Sequence, residues 1–213
     1  MKKILSVAIA ALCLMTQPAM AQNDAKAKGI LEAVSTKING LKSLKANFAL
    51  TMQGKTKETK KGSISMKGPK FRMTLDKTEI ICDGKTQWTY MKDAKEVQVS
   101  TYNPAEQTLS PTKLFSGSYD KEYTYKHAGT RAVNGKNCDI VEMTPINKGK
   151  QFSKVELAID SKTSTIVGGN VWEKNGNKYQ YTISNFTPNP AVADSYFTFD
   201  KAKYPGVEVV DLR

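Results

Sequence analysis

Few residues in this sequence are of types that could carry out covalent chemistry. His127 is the only histidine, so a Ser-His-Asp or Cys-His site would have to be built around it. It lies in a strand pattern with Tyr123 and Tyr125, where a partly buried structural imidazole is the expected role. Motifs of the forms G-x-S-x-G and H-E-x-x-H, the phosphate loop and the dinucleotide fingerprint are absent from the sequence. We therefore predict no catalytic residues, no cofactor and no enzymatic activity.

Cys82 and Cys138 are the two cysteines that follow the N-terminal leader described below. Neither belongs to a C-x-x-C motif, and one histidine adds little to a ligand set, so the pattern predicts no metal site. An oxidising compartment would permit a disulfide between Cys82 and Cys138. The alternative is two buried free thiols, and the sequence leaves both open.

The most distinctive feature that remains is a set of apolar residues that alternate with polar ones along the predicted strands and would share one buried face. Several inward-facing positions are methionines, which suit surfaces that repack around variable ligands. Two interpretations remain open, an ordinary filled core and an apolar cavity covered by helices. For a cavity, the predicted lining residues are Phe48, Leu50, Met52, Ile64, Met66, Phe71, Met73, Leu75, Trp88 and Tyr90.

The first 21 residues have the organisation of a secretory signal peptide. Residues 1–3 are basic after the initiator, residues 4–15 are apolar, and Ala19-Met20-Ala21 has the A-x-A form of a cleavage site. The apolar part is too short to cross a bilayer as a helix. We therefore predict cleavage after Ala21, export to the periplasm, and a single domain over residues 22–213.

The sequence is strongly basic, with a formal net charge of +12 from 32 Lys and Arg against 20 Asp and Glu. A basic exported protein is expected to meet anionic lipid surfaces or acidic proteins rather than nucleic acid. Alternatively, the scattered lysines have no binding role and only keep the protein soluble. We expect a monomer that does not bind nucleic acid.

Residues 24–41 are predicted to form the one long helix, because their apolar residues recur at helical spacing. Asn23 or Asp24 can cap its start, and Asn39-Gly40 predicts a left-handed end. The apolar stripe is either core or the face of a lid. Residues 103–117 break the strand pattern and contain two prolines, which predicts a long connection with one or two short helices. The predicted lid residues in these two segments are Leu31, Val34, Ile38, Leu109, Leu114 and Phe115.

From Leu44 onwards the apolar period changes from helical spacing to two, which predicts strands. Turn signals at Asp83-Gly84, Asn134-Gly135 and Asn175-Gly176 predict hairpins, and at Asp83-Gly84 we predict a two-residue type I′ turn. About ten or eleven short strands follow one another, and such a series favours an antiparallel meander that curls as its twist accumulates. The predicted fold is mainly β, a strongly curved sheet or incomplete antiparallel β-barrel whose apolar face is covered by a helical lid.

These features resemble the LolA family, the periplasmic carriers of outer-membrane lipoproteins. The resemblance rests on Asp83-Gly84-Lys85-Thr86 followed by Trp88 and Tyr90, on Leu109-Ser110-Pro111, and on the ending GVEVVD at residues 206–211. It implies an incomplete β-barrel whose apolar cavity is closed by helices. One departure is that Gly68 precedes Pro69 where well-known members have an arginine that holds the lid shut. Arg72 is near but is predicted by alternation to point away from Phe71 and Met73.

The resemblance also implies a function and a set of partners. The protein would take an acylated lipoprotein from an inner-membrane ABC transporter that releases lipoproteins. It would shield the acyl chains across the periplasm and pass them to an outer-membrane acceptor or to the outer membrane directly. The alternative is a carrier or sensor of another amphiphile, such as a glycolipid or a fatty acyl ligand, on the same fold.

Overall fold

The computed structural model describes residues 24–54, 56–103, 119 and 121–213, which form one α-helix and twelve strands. Helix α1 comprises Ala25–Asn39. The strands are β1 (Leu44–Gln53), β2 (Lys57–Lys67), β3 (Lys70–Leu75), β4 (Thr78–Cys82), β5 (Thr86–Met91), β6 (Glu96–Thr101), β7 (Tyr123–Val133), β8 (Lys136–Pro145), β9 (Phe152–Asp160), β10 (Thr165–Glu173), β11 (Lys178–Pro188) and β12 (Glu208–Asp211). Two short 3-10 helices, Asp194–Phe197 and Lys201–Lys203, precede β12. In this described part of the chain, no helix is long and apolar enough to cross a membrane.

Helix α1 begins at an aspartate that also fastens it to the sheet. The Asp24 carboxylate accepts hydrogen bonds from the backbone N–H groups of Lys26 (2.8 Å) and Ala27 (3.2 Å), which confirms Asp24 as the cap. Its second oxygen accepts from the backbone N–H of His127 in β7 at 3.0 Å. The predicted left-handed end is wrong: Gly40 has φ −75°, and its N–H still donates to the Thr36 carbonyl.

All twelve strands belong to one open, curved sheet in the order β12-β6-β5-β4-β3-β2-β1-β11-β10-β9-β8-β7. Two antiparallel meanders, β1 to β6 and β7 to β11, are joined because β1 pairs antiparallel with β11. The predicted count of ten or eleven strands and the predicted single meander are therefore corrected. Local turn signals predict neighbours within each meander, but the β1–β11 pair joins segments far apart in sequence. Strand β12, which was not predicted, adds parallel to β6.

Three glycines lie in the strands that flank the central pair β1 and β11. A Cβ placed on Gly62 in β2 would lie 2.2 Å from the carbonyl oxygen of Thr74. On Gly168 and Gly169 in β10 it would lie 2.6 Å from the Tyr181 carbonyl oxygen and 2.4 Å from that of Glu156. Such distances are too short for any side chain, so only glycine permits this approach of neighbouring backbones.

The face of the sheet against which α1 packs is called the inner face, and it carries two clusters of buried side chains. The first cluster lies on β1 to β4, with Tyr102 from just after the end of β6, and comprises Leu44, Ala46, Ile64, Met66, Phe71, Cys82 and Tyr102. The second joins α1 to β7–β10 and includes Ala27, Leu31, Val34, Tyr123, Tyr125, Val141, Met143, Val155 and Leu157. Ile38 and Ile183 pack against both clusters, so the two halves of the inner face meet at these residues.

The opposite, outer face of β3 to β5 is covered by the C-terminal segment. Arg72 Nε donates to Glu79 Oε1 at 2.7 Å, and a second guanidinium nitrogen donates to the Tyr204 hydroxyl at 2.8 Å. The Tyr204 hydroxyl donates in turn to Glu79 Oε2 at 2.7 Å, and its ring centre lies 4.7 Å from that of Tyr90. The prediction that Arg72 points away from Phe71 and Met73 is therefore confirmed.

The two described cysteines are free and far apart in the sheet, so the possible disulfide is corrected in favour of two buried thiols. Cys82 is in the inner-face cluster of β4, whereas Cys138 packs with Ile140, Ala158 and Val167 on the outer face of β8–β10. Six strands lie between β4 and β8, whereas a disulfide needs Cα atoms within about 7 Å. Burial raises the pKa of Cys82 to about 11, which keeps its thiol protonated and unreactive.

Candidate functional site

A cavity of about 200 Å³ lies on the inner face where the two meanders meet. Its walls come from β1, β2 and β3 on one side and from β9, β10 and β11 on the other, and Ile38 of α1 borders it. The lining residues are Ile38, Ala46, Phe48, Leu50, Ile64, Met73, Leu75, Val155, Glu156, Leu157, Ile166, Gly168, Gly169, Asn170, Val171, Tyr181, Ile183 and Phe186. Almost all of these side chains are apolar, so the cavity favours a hydrocarbon occupant over water.

The central pair of strands places four side chains at the heart of this cavity. Phe48 and Leu50 on β1 are directly opposite Ile183 and Tyr181 on β11. Residues two apart on a strand share a face, so all four project from the inner face. Phe48 is also directly opposite Gly62, where an added Cβ would lie 2.5 Å from Phe48 Cζ. The ring therefore lies across a strand position that has to remain without a side chain.

The glycine pair in β10 lies in the wall of the cavity that is formed by β9, β10 and β11. Gly169 is directly opposite both Leu157 in β9 and Tyr181 in β11, and all three border the cavity. Gly169 adds no side chain to the wall between Leu157 and Tyr181, and the Leu157 Cδ2 atom would lie 3.5 Å from a Cβ placed there. The β9–β10 register shifts between Ile166 and Gly168, a local bulge that accompanies the bend of the sheet here.

The two polar residues of β9 and β10 that border the cavity direct their side chains to the outer face. Asn170 Nδ2 donates to Glu156 Oε1 at 2.8 Å, and Arg131 binds the same carboxylate. Burial alone would raise the pKa of Glu156, but the hydrogen bonds from Arg131 and Asn170 lower it below its ordinary value. The Glu156 charge is thus held outside the cavity.

Comparison with known proteins shows which family the sequence matches. Residues 39–200 match the family described as outer membrane lipoprotein carrier protein LolA. The chain belongs to the LolA family. This confirms the resemblance found from the DGKT-x-W-x-Y segment and the other motifs.

Relatives of this LolA-family chain are named outer-membrane lipoprotein carrier proteins. One from Legionella pneumophila (strain Lens) is 26% identical over 186 residues, covering 84% of this chain and 88% of the relative. One from Histophilus somni (strain 2336) is 30% identical over 187 residues, covering 84% and 86%. Among solved structures, an uncharacterized conserved protein from Thermus thermophilus has a TM-score of 0.60 at 10% identity and covers 87% of this chain and 99% of that one. That likeness shows a shared fold.

The structure brings five of the ten predicted lining residues of this LolA-family chain to the cavity: Phe48, Leu50, Ile64, Met73 and Leu75. Met66 and Phe71 lie on the same face but are buried in the first inner-face cluster. Met52 shares the face with Phe48 and Leu50 and lies beyond the cavity, near the end of β1. Binding of a ligand by these residues stays a prediction.

Trp88 and Tyr90 do not border the cavity, and their assignment to its wall is corrected. In the β4–β5 pair, Trp88 is opposite Ile81 and Tyr90 is opposite Glu79. In the β3–β4 pair, Ile81 is opposite Arg72, so this whole set projects from the outer face. There Tyr90 packs on Tyr204 of the C-terminal segment. Tyr90 is therefore part of the contact between the outer face and the C-terminal segment.

Of the predicted lid residues, two are buried in the core beneath α1, one borders the cavity, and three lie outside the described residues. Leu31 and Val34 of α1 are 3% and 0% exposed and lie in the second cluster against β7–β10, whereas Ile38 borders the cavity. Only the C-terminal end of α1 is therefore adjacent to the cavity. Leu109, Leu114 and Phe115 lie outside the described residues, so their role in a lid stays a prediction.

Sequence reasoning missed the half of the wall contributed by the second meander: Val155, Leu157, Ile166, Val171, Tyr181, Ile183 and Phe186. The alternation of Tyr179, Tyr181 and Ile183 was visible and indicates one shared face. The glycine pair at 168–169 inside a strand was also a signal, since it indicates a bulge or a close backbone approach. The sequence did not indicate that β11, which carries Tyr181 and Ile183, pairs with β1.

The one histidine takes part in a cluster that lacks the geometry of a nucleophilic site. His127 Nε2 lies 2.9 Å from Asp139 Oδ1, and Ser161 Oγ donates to Asp139 Oδ2 at 2.6 Å. A nucleophile needs direct contact with its base, but here the carboxylate lies between the hydroxyl and the imidazole. Within the described ranges, no group of three or more His, Cys, Asp or Glu is arranged to hold a metal ion.

Proposed function

We propose that this protein is a periplasmic carrier that binds the acyl chains of lipoproteins in the inner-face cavity and delivers them to the outer membrane. The observation that carries the proposal is the cavity itself, lined by apolar side chains from both meanders of a LolA-family chain. The carrier names of its relatives support the same role. The function is binding and transfer without a covalent step.

The need for such a carrier follows from the hydrophobic effect. A buried methylene is worth about 0.8 kcal/mol, so an acyl chain of about fifteen methylenes would lose on the order of 12 kcal/mol on entering water. Unassisted crossing of an aqueous compartment by several such chains is negligible. Contact with Phe48, Leu157 and Ile183 replaces the lost contact with the membrane.

The size of the cavity indicates that acyl chains enter by separating its walls. An engineered apolar cavity of about 150 Å³ binds benzene, and pockets for drug-sized ligands hold roughly 300–1,000 Å³. The observed 200 Å³ therefore accommodates only a short piece of one acyl chain. Ile38 and Ile183 contact both clusters, so parting the two halves at these residues would enlarge the space. Lipid and protein side chains would then compete for the same apolar surface.

The proposed route begins with export through the predicted signal peptide, which lies outside the described residues. An inner-membrane ABC transporter would supply acylated lipoprotein, and an outer-membrane acceptor or the outer membrane itself would receive it. Loss of Lys2 and Lys3 with the leader would lower the formal net charge from +12 to +10, and this basic surface would favour encounters with acidic partner proteins or anionic lipid surfaces.

Native mass spectrometry of the protein purified from a periplasmic extract tests this proposal. The expected result is a population with added mass that matches triacylated lipoproteins, and that dissociates into lipoprotein and carrier on activation. Added masses that match a glycolipid or fatty acid would instead support the alternative amphiphile. A protein recovered free of every lipid, under conditions that preserve a known lipid carrier loaded in parallel, would contradict both.

A further inference from the structure

One side chain on the cavity wall differs in chemistry from the rest. Tyr181 in β11 projects from the inner face between Leu50 of β1 and Gly169 of β10. Of the described residues that border the cavity, it is the one whose inner-face side chain carries a polar atom, because Glu156 and Asn170 turn outward. Gly169, directly opposite Tyr181, also borders the cavity and has no side chain to cover it.

The Tyr181 hydroxyl has no hydrogen-bond partner among the described residues, unlike two other tyrosines of the sheet and its cover. The Tyr179 hydroxyl, two residues earlier on the same face, donates to Glu173 Oε2 at 3.3 Å, and the Tyr204 hydroxyl donates to Glu79. The Tyr181 side chain is partly buried and borders the cavity, so its unpaired hydroxyl can accept a partner that enters there. Burial also raises the pKa of Tyr181 above its ordinary value, so its hydroxyl remains a donor.

We propose that the Tyr181 hydroxyl donates a hydrogen bond to an ester carbonyl oxygen of the bound lipid. An ester carbonyl is the acceptor that lies where an acyl chain joins its glycerol, and a pure hydrocarbon has none. Tyr181 is thus a specificity residue that selects acyl esters over alkyl chains of the same length. This inference rests on the proposed lipid-binding function of the cavity and names the ligand group that the cavity recognises.

A matched pair of lipids separates the hydrogen bond from the hydrophobic contact. Dihexadecanoylglycerol and dihexadecylglycerol ether have the same chain length, but only the first has ester carbonyls. Each would compete against a fluorescent alkyl probe without a carbonyl for the parent protein, for Tyr181→Phe and for Tyr179→Phe. One neutral hydrogen bond corresponds to about a fivefold change in affinity.

The parent protein and Tyr179→Phe are expected to bind the diester about fivefold more tightly than the diether. Tyr181→Phe is expected to bind both lipids equally, with diether affinity and thermal midpoint unchanged because the ring is retained. An ester preference that persists in Tyr181→Phe, or that is missing from the parent, would overturn the assignment of Tyr181 while lipid binding itself stands. Failure of the parent to bind either lipid would overturn the carrier function, and this inference with it.

Discussion

Phe48→Glu is expected to abolish binding of a fluorescent acyl probe, with a loss of at least about 100-fold. Phe48 borders the cavity from the central strand, and a carboxylate at this position would be buried among apolar side chains. Burying an unpaired charge costs several kcal/mol, and each 1.4 kcal/mol is a tenfold change in affinity. The measurement is a fluorescence titration of the purified variant. Met73→Glu, in β3 on the same wall of the cavity, should act in the same way.

Asn47→Glu is the matched control for this prediction. It places the same charge one residue earlier in β1, on the exposed outer face. Its probe affinity should equal that of the parent protein, and circular dichroism should show that both glutamate variants keep their strand content. Equal probe binding by Phe48→Glu, Met73→Glu and the parent protein would contradict the assignment of acyl binding to the cavity.

Gly62→Ala is expected to destabilise the protein by about 2 kcal/mol, although alanine is normally the more favourable residue. The added methyl group would lie 2.2 Å from the Thr74 carbonyl oxygen and 2.5 Å from Phe48 Cζ, so strand and ring would both have to shift. Overpacking of this kind costs typically 1–3 kcal/mol. The free energy of unfolding can be measured from urea transitions followed by circular dichroism.

Gly29→Ala gives the opposite sign and serves as the comparison. Gly29 is exposed in α1, and nothing lies within 4 Å of a Cβ placed there. Alanine in a helix is more favourable than glycine by about 0.8–1 kcal/mol, so this variant should be stabilised by about that amount. A Gly62→Ala protein as stable as the parent would show that the close approach of β2 and β3 is not a constraint on the sheet.

Local patterns predicted the strands of the first meander well because large apolar residues recur there at every second position. The hairpin at Asn134-Gly135 has positive φ at both positions, 51° and 72°, as the turn signal indicates. The type I′ turn predicted at Asp83-Gly84 is wrong, since only Gly84 has positive φ. There the Asp83 carboxylate accepts from the backbone N–H groups of Lys85 (2.8 Å) and Thr86 (2.7 Å). These bonds favour a longer connection between β4 and β5.

The error at Trp88 and Tyr90 has a different physical origin. The hairpins on either side of β4 already relate these residues to Arg72 and Glu79 rather than to Phe71 and Met73. The large aromatic side chains of Trp88 and Tyr90 suggested the inner face. The C-terminal segment, however, covers the outer face of β3 to β5, so apolar residues occur on both faces. When both faces of a sheet are covered, register rather than hydrophobicity identifies the face.

The cavity itself depends on a contact that local sequence does not encode. Phe48 and Leu50 border a cavity because β1 pairs with β11, which places Tyr181 and Ile183 beside them. The pairing joins residues more than a hundred positions apart, and alternation is compatible with many partners for either strand. The first half of the wall was therefore predictable from periodicity, whereas the second half required the sheet order.

Photo-crosslinking with a fatty acyl chain that carries a diazirine at its end tests most directly whether the inner face binds lipid. If acyl chains occupy the inner-face cavity, cross-linked peptides should come from β1, β3 and β11 and contain Phe48, Met73 or Tyr181, and unlabelled lipid should compete with the cross-linking. Cross-links concentrated on the outer face, at the peptide of Trp88 and Tyr90 or at the C-terminal segment, would show that lipid does not bind in the inner-face cavity.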